Sequence, residues 1–259
     1  MSKKRWIAGL LSAVMALSVL AVNPVEVSAK NKYKKGDYIT FGSYEQDGDT
    51  SNGAEPIEWE ILTVKNGKAL VISKYILDAK PYNVKGEEIT WEKSTLRKWL
   101  NKDFYNSAFS GDDKKKIVKT KISNPDNESY GTKGGKTTKD KVFLLSVPEI
   151  IKSFEFNTWD KEEKYGYSQA LLIEGTAYAM DNGFDTYTLT ELDYEYFKPY
   201  GYDESCIGQT CGRWWLRSPG HFSNGACYVD SFSTAGWSYC NCCVNDDTVG
   251  VRPAVWIKL

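Results

Sequence analysis

Two aromatic-rich segments near the C-terminus, Arg213-Trp214-Trp215-Leu216-Arg217-Ser218-Pro219-Gly220 and Gly250-Val251-Arg252-Pro253-Ala254-Val255-Trp256-Ile257, decide which fold this chain can adopt. Their apolar composition is typical of short strands, and Pro253 indicates an edge or a bulge in the second one. Residues 218–251 differ, because they contain no Lys, Arg, Glu, Gln, Met, Leu or Ile in a chain that is 26% charged. Small polar and aromatic residues fill this stretch, as they fill binding loops. We therefore predict loops presented by two adjoining strands of one sheet.

Alternating apolar residues predict further strands on either side of this frame. A first strand is expected at 37–42, and a hairpin at 56–73, where Asn66 and Gly67 supply the positive φ angles that a tight turn requires. Short apolar runs predict two more strands, at 142–145 and 226–230.

Helices are predicted between these strands. Apolar residues recur at three- to five-residue intervals over 90–109, which indicates an amphipathic helix. Two later pairs, Ser110 with Asp113 and Ser146 with Glu149, have the spacing of a capping box and predict two more helix starts. Short strands, long loops and two or three helices together indicate an α+β fold. We expect it to form one domain over 30–259.

The first 29 residues have the pattern of a secretory signal peptide. Lys3, Lys4 and Arg5 form a basic start, an apolar run covers 7–22, and small residues at 27–29 offer a cleavage site. No Cys follows for lipid attachment, and no later apolar run approaches the roughly 20 residues of a membrane span. We expect a secreted or cell-surface-associated protein.

The net charge limits the classes of partner that are expected, and the cysteine content predicts disulfides. The formal net charge is −1, so neither nucleic acid nor an anionic membrane is the expected partner. All six cysteines lie after residue 205, and in an exported chain this predicts disulfides, with 15 possible connectivities. Cys206 and Cys211 are the expected pair, with one of the last three cysteines left free. The spacing does not fit a zinc site, and no metal is expected from the cysteines.

Five motifs resemble those of an uncharacterised family of exported Gram-positive bacterial proteins that carries a domain of unknown function. They are Pro-Ile-x-Trp at 56–59, Trp-x-x-Ser-x-x-Arg-x-Trp-Leu-Asn at 91–101, Phe-Leu-Leu-Ser at 143–146, Trp-Trp-Leu-Arg-Ser-Pro-Gly at 214–220 and Gly-Val-Arg-Pro-Ala at 250–254. The resemblance covers nearly all of the chain after the signal peptide. It implies membership of the family and says nothing about activity.

The Trp-Arg frame and the closing Gly-Val-Arg strand are more distantly similar to the C-type-lectin-like fold in its formylglycine-generating-enzyme form. That resemblance implies a single domain with short antiparallel sheets, two or three helices and long loops, whose C-terminal region, about 218–250, presents the ligand surface. Sugar binding does not follow from it, because the Glu-Pro-Asn and Trp-Asn-Asp motifs of calcium lectins are missing.

Some members of that fold are the variable targets of diversity-generating retroelements, in which Asn codons of a C-terminal cassette are mutated. Apart from Trp237, every residue of 218–251 belongs to a type encodable by a codon that ends in a pyrimidine. The alternative is an ordinary loop, since Gly, Ser, Asn and Asp favour turns for local reasons.

The candidate ligand-binding residues are the polar and aromatic members of this segment: His221, Phe222, Ser223, Asn224, Tyr228, Asp230, Phe232, Trp237, Ser238, Tyr239, Asn241, Asn245 and Asp246. Rigid aromatic rings beside small polar side chains give contact area at low entropic cost. We expect Phe232 and the residues of 237–241 in this set to be exposed on one face.

Four residues of the flanking segments are assigned to the frame. Trp214 and Trp215 are neighbours in a strand, so one ring should be buried while the other is able to face the loops. Arg217 and Arg252 lie in apolar surroundings, where a guanidinium needs carboxylate or carbonyl partners. We expect both arginines to fix the frame rather than to bind ligand.

No catalytic residue stands out, and no cofactor is expected. His221, the only histidine, has no second histidine or repeated Cys-His pairing to form a triad or zinc centre. Calcium at Asn245, Asp246 and Asp247 is an alternative, although such clusters are typical of turns. We predict an exported protein that binds an extracellular protein or glycan without catalysis. The alternative is an enzyme, either an oxidase of the formylglycine-generating type or a cell-wall glycan hydrolase.

Overall fold

The hairpin around Asn66 and Gly67 joins the second and third strands of the computed structural model, which describes residues 33–156, 158–236 and 242–259. Asn66 has φ 52° and Gly67 has φ 66°, as the predicted turn requires, and Val64 and Lys65 pair with Ala69 and Lys68. The predicted hairpin is therefore confirmed. The signal-peptide prediction, 1–29, lies outside the described residues.

The strands and helices alternate irregularly along the chain. The strands are β1 (Tyr38–Tyr44), β2 (Glu55–Lys65), β3 (Lys68–Ser73), β4 (Asp78–Ala79), β5 (Thr120–Ile122), β6 (Thr138–Asp140), β7 (Val142–Phe143), β8 (Thr158–Asp160), β9 (Tyr165–Tyr167), β10 (Thr186–Thr188), β11 (Thr210–Gly212), β12 (Trp214–Pro219), β13 (Gly225–Val229), β14 (Thr234–Gly236), β15 (Cys242–Cys243), β16 (Gly250–Val251) and β17 (Ala254–Lys258). The α-helices are α1 (Thr95–Trp99), α2 (Tyr105–Ala108), α3 (Gly111–Lys116), α4 (Val147–Ser153), α5 (Ala177–Asp181) and α6 (Glu191–Phe197).

Local capping explains where the predicted helices begin. The Ser94 hydroxyl accepts a hydrogen bond from the Arg97 amide at the start of α1, which continues through a π-helical turn, Leu100–Phe104, into α2. Both predicted capping boxes, at Ser110 for α3 and at Ser146 for α4, are present. These predictions are confirmed.

Two five-stranded sheets organise the fold. The first is antiparallel throughout, in the order β1-β2-β3-β17-β7, and the second has the order β15-β13-β12-β16-β4. Three smaller antiparallel sheets join β5 to β6, β10 to β11, and β14, β9 and β8. The α+β class with several short antiparallel sheets is therefore confirmed.

The C-terminal frame divides between the two large sheets. Trp214 pairs with Gly250 in parallel orientation, so β12 and β16 do adjoin, whereas β17 lies in the other sheet between β3 and β7. The expectation that the whole of 249–257 shares the sheet of β12 is therefore wrong. Pro253 separates β16 from β17 because it has no amide hydrogen to donate, and its carbonyl instead accepts the Ser73 amide at 2.9 Å.

Aromatic residues dominate the interior. A main core contains four fully buried tryptophans, Trp59, Trp91, Trp214 and Trp215. A smaller core holds Leu172, Leu189, Tyr194, Phe197, Tyr202, Cys206 and Cys211. Residues Tyr33–Leu259 form one compact unit. Within the described part of the chain, we find no helix with both the length and the apolar character needed to cross a membrane.

Candidate functional site

Both tryptophans of the frame are buried, contrary to the expectation that one ring faces the loops. The Trp215 indole donates to the Lys80 carbonyl at 2.9 Å, and the Trp214 indole donates to the Leu171 carbonyl at 3.4 Å. Strands present alternate side chains to opposite faces. Both rings are buried because other elements cover both faces of β12.

The two frame arginines are also buried, and each binds main-chain carbonyls. Arg217 forms an ion pair with Glu149 and donates to the carbonyls of Leu144, at 2.7 Å, and Ser123, at 3.1 Å. Arg217 therefore joins β12 to the start of α4 and to the loop before β6. These contacts fix the C-terminal end of β12, from which the loop to β13 begins.

Arg252 is the more deeply buried of the two. It donates to the Ser73 carbonyl at 2.8 Å and lies 3.6 Å from the Glu60 carboxylate, with its guanidinium over the Trp214 ring. Its Nη1 atom has no hydrogen-bond partner among the described residues. Burial lowers its pKa to about 10.

The loop between β12 and β13 forms one wall of an open cleft. Neighbouring segments hold this loop on two sides: the Asn127 amide group donates to the Pro219 carbonyl at 3.0 Å, and the Thr132 hydroxyl donates to the His221 carbonyl at 2.7 Å. From the other side, the Ile89 amide donates to the Ser223 carbonyl at 3.0 Å. The loop that carries four predicted ligand residues, His221, Phe222, Ser223 and Asn224, is thus fixed by tertiary contacts.

Three rings form a column at the edge of this cleft, which we call the ring column: Tyr130, His221 and Phe222. The Tyr130 and His221 centroids are 3.8 Å apart, and the His221 and Phe222 centroids are 4.2 Å apart, with the planes of each pair within 20°. Phe222 is 56% exposed and Tyr130 is 41% exposed. A continuous apolar surface of this kind marks an interaction site more often than single exposed residues do.

The cleft beside the ring column has a volume of about 530 Å³. Three segments that are distant in sequence line it with Glu88, Ile89, Thr90, Lys93, Tyr130, Gly131, Thr132, Lys133, His221, Phe222 and Ser223. The volume lies in the range of small-molecule pockets, and the lining combines apolar surface with a few polar groups. We call this site the ring cleft.

Charged groups of both signs border the ring cleft. Lys133 forms an ion pair with Asp126 at 2.6 Å. The hydrogen bond from Lys133, and a second from the Gly134 amide, lower the pKa of Asp126. Glu88 is the only carboxylate among the described lining residues. The cleft therefore lacks the facing pair of carboxylates that glycoside hydrolysis uses.

The structure does not bring all the predicted ligand residues together. Asn224 is exposed beside the ring cleft loop, and its carbonyl accepts the Val244 amide at 3.1 Å. Tyr228 is half-buried, and burial raises its pKa to about 12. Four further candidates, Trp237, Ser238, Tyr239 and Asn241, lie outside the described residues.

Two predicted ligand residues serve the fold instead of the surface. Asp230 is buried, and its carboxylate accepts the amides of Phe232, at 2.9 Å, and Thr234, at 2.7 Å, which holds a turn. Phe232 is half-buried against Phe197 of the smaller core, and its ring also contacts the exposed ring of Tyr187 in β10. Its expected exposure is therefore wrong, because the side chain packs beneath the turn that Asp230 forms.

Among the described residues, the side chains of the Asn245–Asp247 cluster are not directed toward a common cation site. Asp246 pairs with Arg213 at 3.2 Å and accepts hydrogen bonds from the Thr248 amide and hydroxyl. Partial burial opposes ionisation, but these bonds outweigh it and lower the pKa of Asp246. The Asn245 side chain lies against Gly86, where a Cβ would approach its Oδ1 to 3.0 Å.

A different acidic cluster lies between β1 and β2. Carboxylate oxygens of Glu45, Asp47 and Glu55 lie within 4.8 Å of one another. Oxygen ligands of this type suit a hard cation such as calcium. The same carboxylates already accept amide hydrogen bonds within the loop, from Gly48, Asp49 and Gln46 respectively. This cluster was not predicted from the sequence, where calcium was expected only at Asn245, Asp246 and Asp247.

The expected bridge between Cys206 and Cys211 is not formed, and both residues are buried free thiols. The Cys211 thiol is instead directed to the Ser231 carbonyl, with a sulfur-oxygen distance of 3.0 Å. Burial raises the pKa of Cys206 and raises the pKa of Cys211 to about 12. Cys242 and Cys243 are also free, as one of the last three cysteines was expected to be.

Most of the ring cleft was not anticipated from sequence, since only His221, Phe222 and Ser223 of its lining are predicted ligand residues. The contributions of 88–93 and 130–133 come from the segment in which a helix was predicted to begin and from a segment to which no strand or helix was assigned. The available signal was Tyr130, an aromatic residue in an otherwise polar loop of Ser, Gly, Thr and Lys. Only the contacts in the folded chain connect it to His221.

Comparison with known proteins identifies a family and no function. The chain matches the family model of a domain of unknown function, DUF6273, over residues 66–259. Neither a curated protein nor a solved structure matches it. The matched region covers well over half of the chain and includes the whole second sheet, the strands β3, β17 and β7 of the first sheet, and the ring cleft. The protein is therefore a member of the DUF6273 family, a domain of unknown function.

Proposed function

We propose that this protein binds a glycan in the ring cleft, with the ring column as the platform. The observation that carries the proposal is the column itself: three aromatic rings are stacked at the edge of a cleft, and the two outer rings are exposed. Stacked rings leave a flat apolar face toward the ligand. The C–H face of a sugar ring is flat and apolar in the same way.

The surroundings of the ring column support a ligand that is polar at its edges. Thr132, Ser223 and Glu88 offer hydroxyl and carboxylate groups, and Lys93 offers an ammonium. A sugar presents hydroxyl groups around its apolar face, so both parts of the ligand find a matching surface. A purely apolar ligand would leave these polar groups without partners, which costs free energy.

The fixed position of the loop favours binding without rearrangement. The loop of His221 and Phe222 is held by hydrogen bonds from Asn127, Thr132 and Ile89. Loops that are ordered before binding lose less conformational entropy when the ligand arrives.

Export to the cell surface and the C-type-lectin-like fold belong to the same proposal. The signal-peptide pattern supports export, and the small polar composition of 218–251 supports a presented surface. The retroelement interpretation would make this surface variable. The ring column, however, uses only His221 and Phe222 of that segment, so glycan binding requires no variation.

The enzyme alternatives find less support. A formylglycine-generating oxidase needs reactive cysteines with depressed pKa values, whereas burial raises the pKa values of Cys206 and Cys211. A glycan hydrolase needs two carboxylates across the cleft, and Glu88 is the only one among the described lining residues.

Replacing Phe222 with Ala tests the proposal. We expect the parent to bind members of an array of neutral and acetamido glycans, and Phe222→Ala to lower the affinity by about tenfold, because a stacked aromatic contact contributes about 1 kcal/mol or more. The matched control is Tyr196→Ala, which removes an exposed ring from α6 and should leave binding unchanged. A parent that binds no glycan, or a Phe222→Ala variant that binds as well as the parent, would contradict the proposal.

A further inference from the structure

A second surface, formed by the first sheet and by the small sheet of β5 and β6, carries an unusual arrangement of lysines. Lys68 in β3 stands directly opposite Lys65 in β2 and Lys258 in β17. Lys121 in β5 stands directly opposite Lys139 in β6. Residues directly opposite each other in an antiparallel pair share one face of the sheet, and like charges at such positions destabilise it.

These lysines are not neutralised within the protein. All five are exposed, and none forms an ion pair with a described residue. The adjoining depression contains Glu149, but its carboxylate is already paired with Arg217. A chain with a net charge of −1 has enough carboxylates to balance this surface, yet no carboxylate in the described part of the chain pairs with these lysines.

A groove runs through this surface. It has a volume of about 360 Å³ and is lined by Lys65, Asn66, Lys68, Val118, Lys119, Thr120, Lys121 and Trp256. The segment after α3 closes one side, because the Val118 amide donates to the Trp256 carbonyl at 2.7 Å. The half-buried indole of Trp256 therefore lies between lysines from two separate parts of the chain.

We propose that this groove, the lysine groove, binds a phosphate-substituted glycan chain. The ammonium groups of Lys65, Lys68, Lys119 and Lys121 match the phosphates, and the Trp256 ring offers an apolar face to a sugar between them. A groove admits a single polymer strand, whereas a membrane surface is flat. The signal-peptide pattern of residues 1–29 favours a polymer outside the cell over cellular nucleic acid. The proposal concerns a separate site and does not rest on the function proposed for the ring cleft.

The test uses phosphomannan and enzymatically dephosphorylated mannan as probes. It is made in the Phe222→Ala protein, so that the ring cleft contributes little to either affinity. We expect phosphomannan to bind about tenfold more tightly than mannan at low ionic strength, and the difference to shrink as salt screens the charges. Equal binding of the two probes would overturn the proposal.

The variant Lys119→Ala/Lys121→Ala locates the site. We expect it to lower phosphomannan affinity by about tenfold. The matched control, Lys115→Ala/Lys198→Ala, also removes two positive charges, but from exposed positions outside the groove. It should change affinity by less than about twofold. Because like charges are removed, the melting temperature of the groove variant should not fall. An equal loss of affinity in the control would overturn the proposal.

Competition decides the class of polymer. Single-stranded RNA or phosphatidylglycerol vesicles should displace phosphomannan only at much higher phosphate concentration. Should either bind more tightly than phosphomannan and lose that affinity in Lys119→Ala/Lys121→Ala, the groove would serve another class of partner and the proposal would be wrong.

Discussion

At the scale of single residues, burial of large aromatic and charged side chains accounts for the frame of the fold. Trp215 is fully buried, its ring contacts Tyr82 with centroids 5.7 Å apart, and its indole nitrogen donates to a main-chain carbonyl. Arg217 and Arg252 are buried with carbonyl partners. Such residues tolerate little change because packing and hydrogen bonding fail together when they are removed.

Replacement of Trp215 by Ala is expected to lower the free energy of unfolding by about 3 to 5 kcal/mol, since it leaves a cavity and removes the hydrogen-bond donor of the Lys80 carbonyl. Urea unfolding followed by circular dichroism measures it. The comparison is Leu192→Ala, which truncates a side chain that is 82% exposed and should change stability by less than about 0.5 kcal/mol. Equal stability of the two variants would show that Trp215 is not a core anchor.

At the scale of elements, the C-terminal segment holds the two large sheets together. β16 pairs with β12 and β4 in one sheet, and three residues later β17 pairs with β3 and β7 in the other. Gly250 lies in β16, just before the chain passes from the second sheet into the first. A Cβ there would come within 2.5 Å of the Ile76 side chain and 2.8 Å of Phe184. Close approach at this position therefore requires glycine.

The change Gly250→Ala is expected to destabilise the protein by about 1 to 3 kcal/mol, because the added methyl group overpacks the space around residue 250. Gly111→Ala is the matched control: nothing lies within 4 Å of its Cβ position, and it sits in α3, where Ala is the better helix former. Thermal melts of both variants should move in opposite directions. A melting temperature of Gly250→Ala equal to that of the parent would show that the packing around residue 250 accommodates a methyl group.

At the scale of the whole molecule, ionised aspartates stabilise the fold at neutral pH, and this contribution is lost in acid. Hydrogen bonds lower the pKa values of five of them: Asp47, Asp126, Asp193, Asp203 and Asp246. Glu45 is the exception, because desolvation and its bond with Asp47 raise its pKa. A lowered pKa contributes stability above the unfolded value and loses it as the pH falls through the folded value.

The urea midpoint is accordingly expected to fall between about pH 5 and pH 3, since the unfolded pKa of Asp lies near 3.9. Glu45 acts in the opposite direction but is one group against five. The Asp126→Asn variant, which no longer titrates at this position, should lose less stability over the same interval than the parent. A midpoint that stays constant or rises on acidification would contradict this assignment.

The sequence by itself determined the local structure where short-range chemistry decides the conformation. The Asn66-Gly67 turn and the capping boxes at Ser110 and Ser146 form as predicted, because each depends on residues within four positions of one another. The α+β class followed from the same patterns. The smaller core around Phe197 was not predicted, since 155–205 shows no clear periodicity.

Tertiary structure alone decided which surfaces form sites. The ring cleft joins His221 to Tyr130, and the lysine groove joins Lys68 to Lys119, although these residues are far apart in the chain. It also separated Asp230 and Phe232 from the predicted ligand surface, because one holds a turn and the other packs beneath it. Residue type predicts what a side chain is able to bind, but exposure and neighbours depend on how distant segments pack.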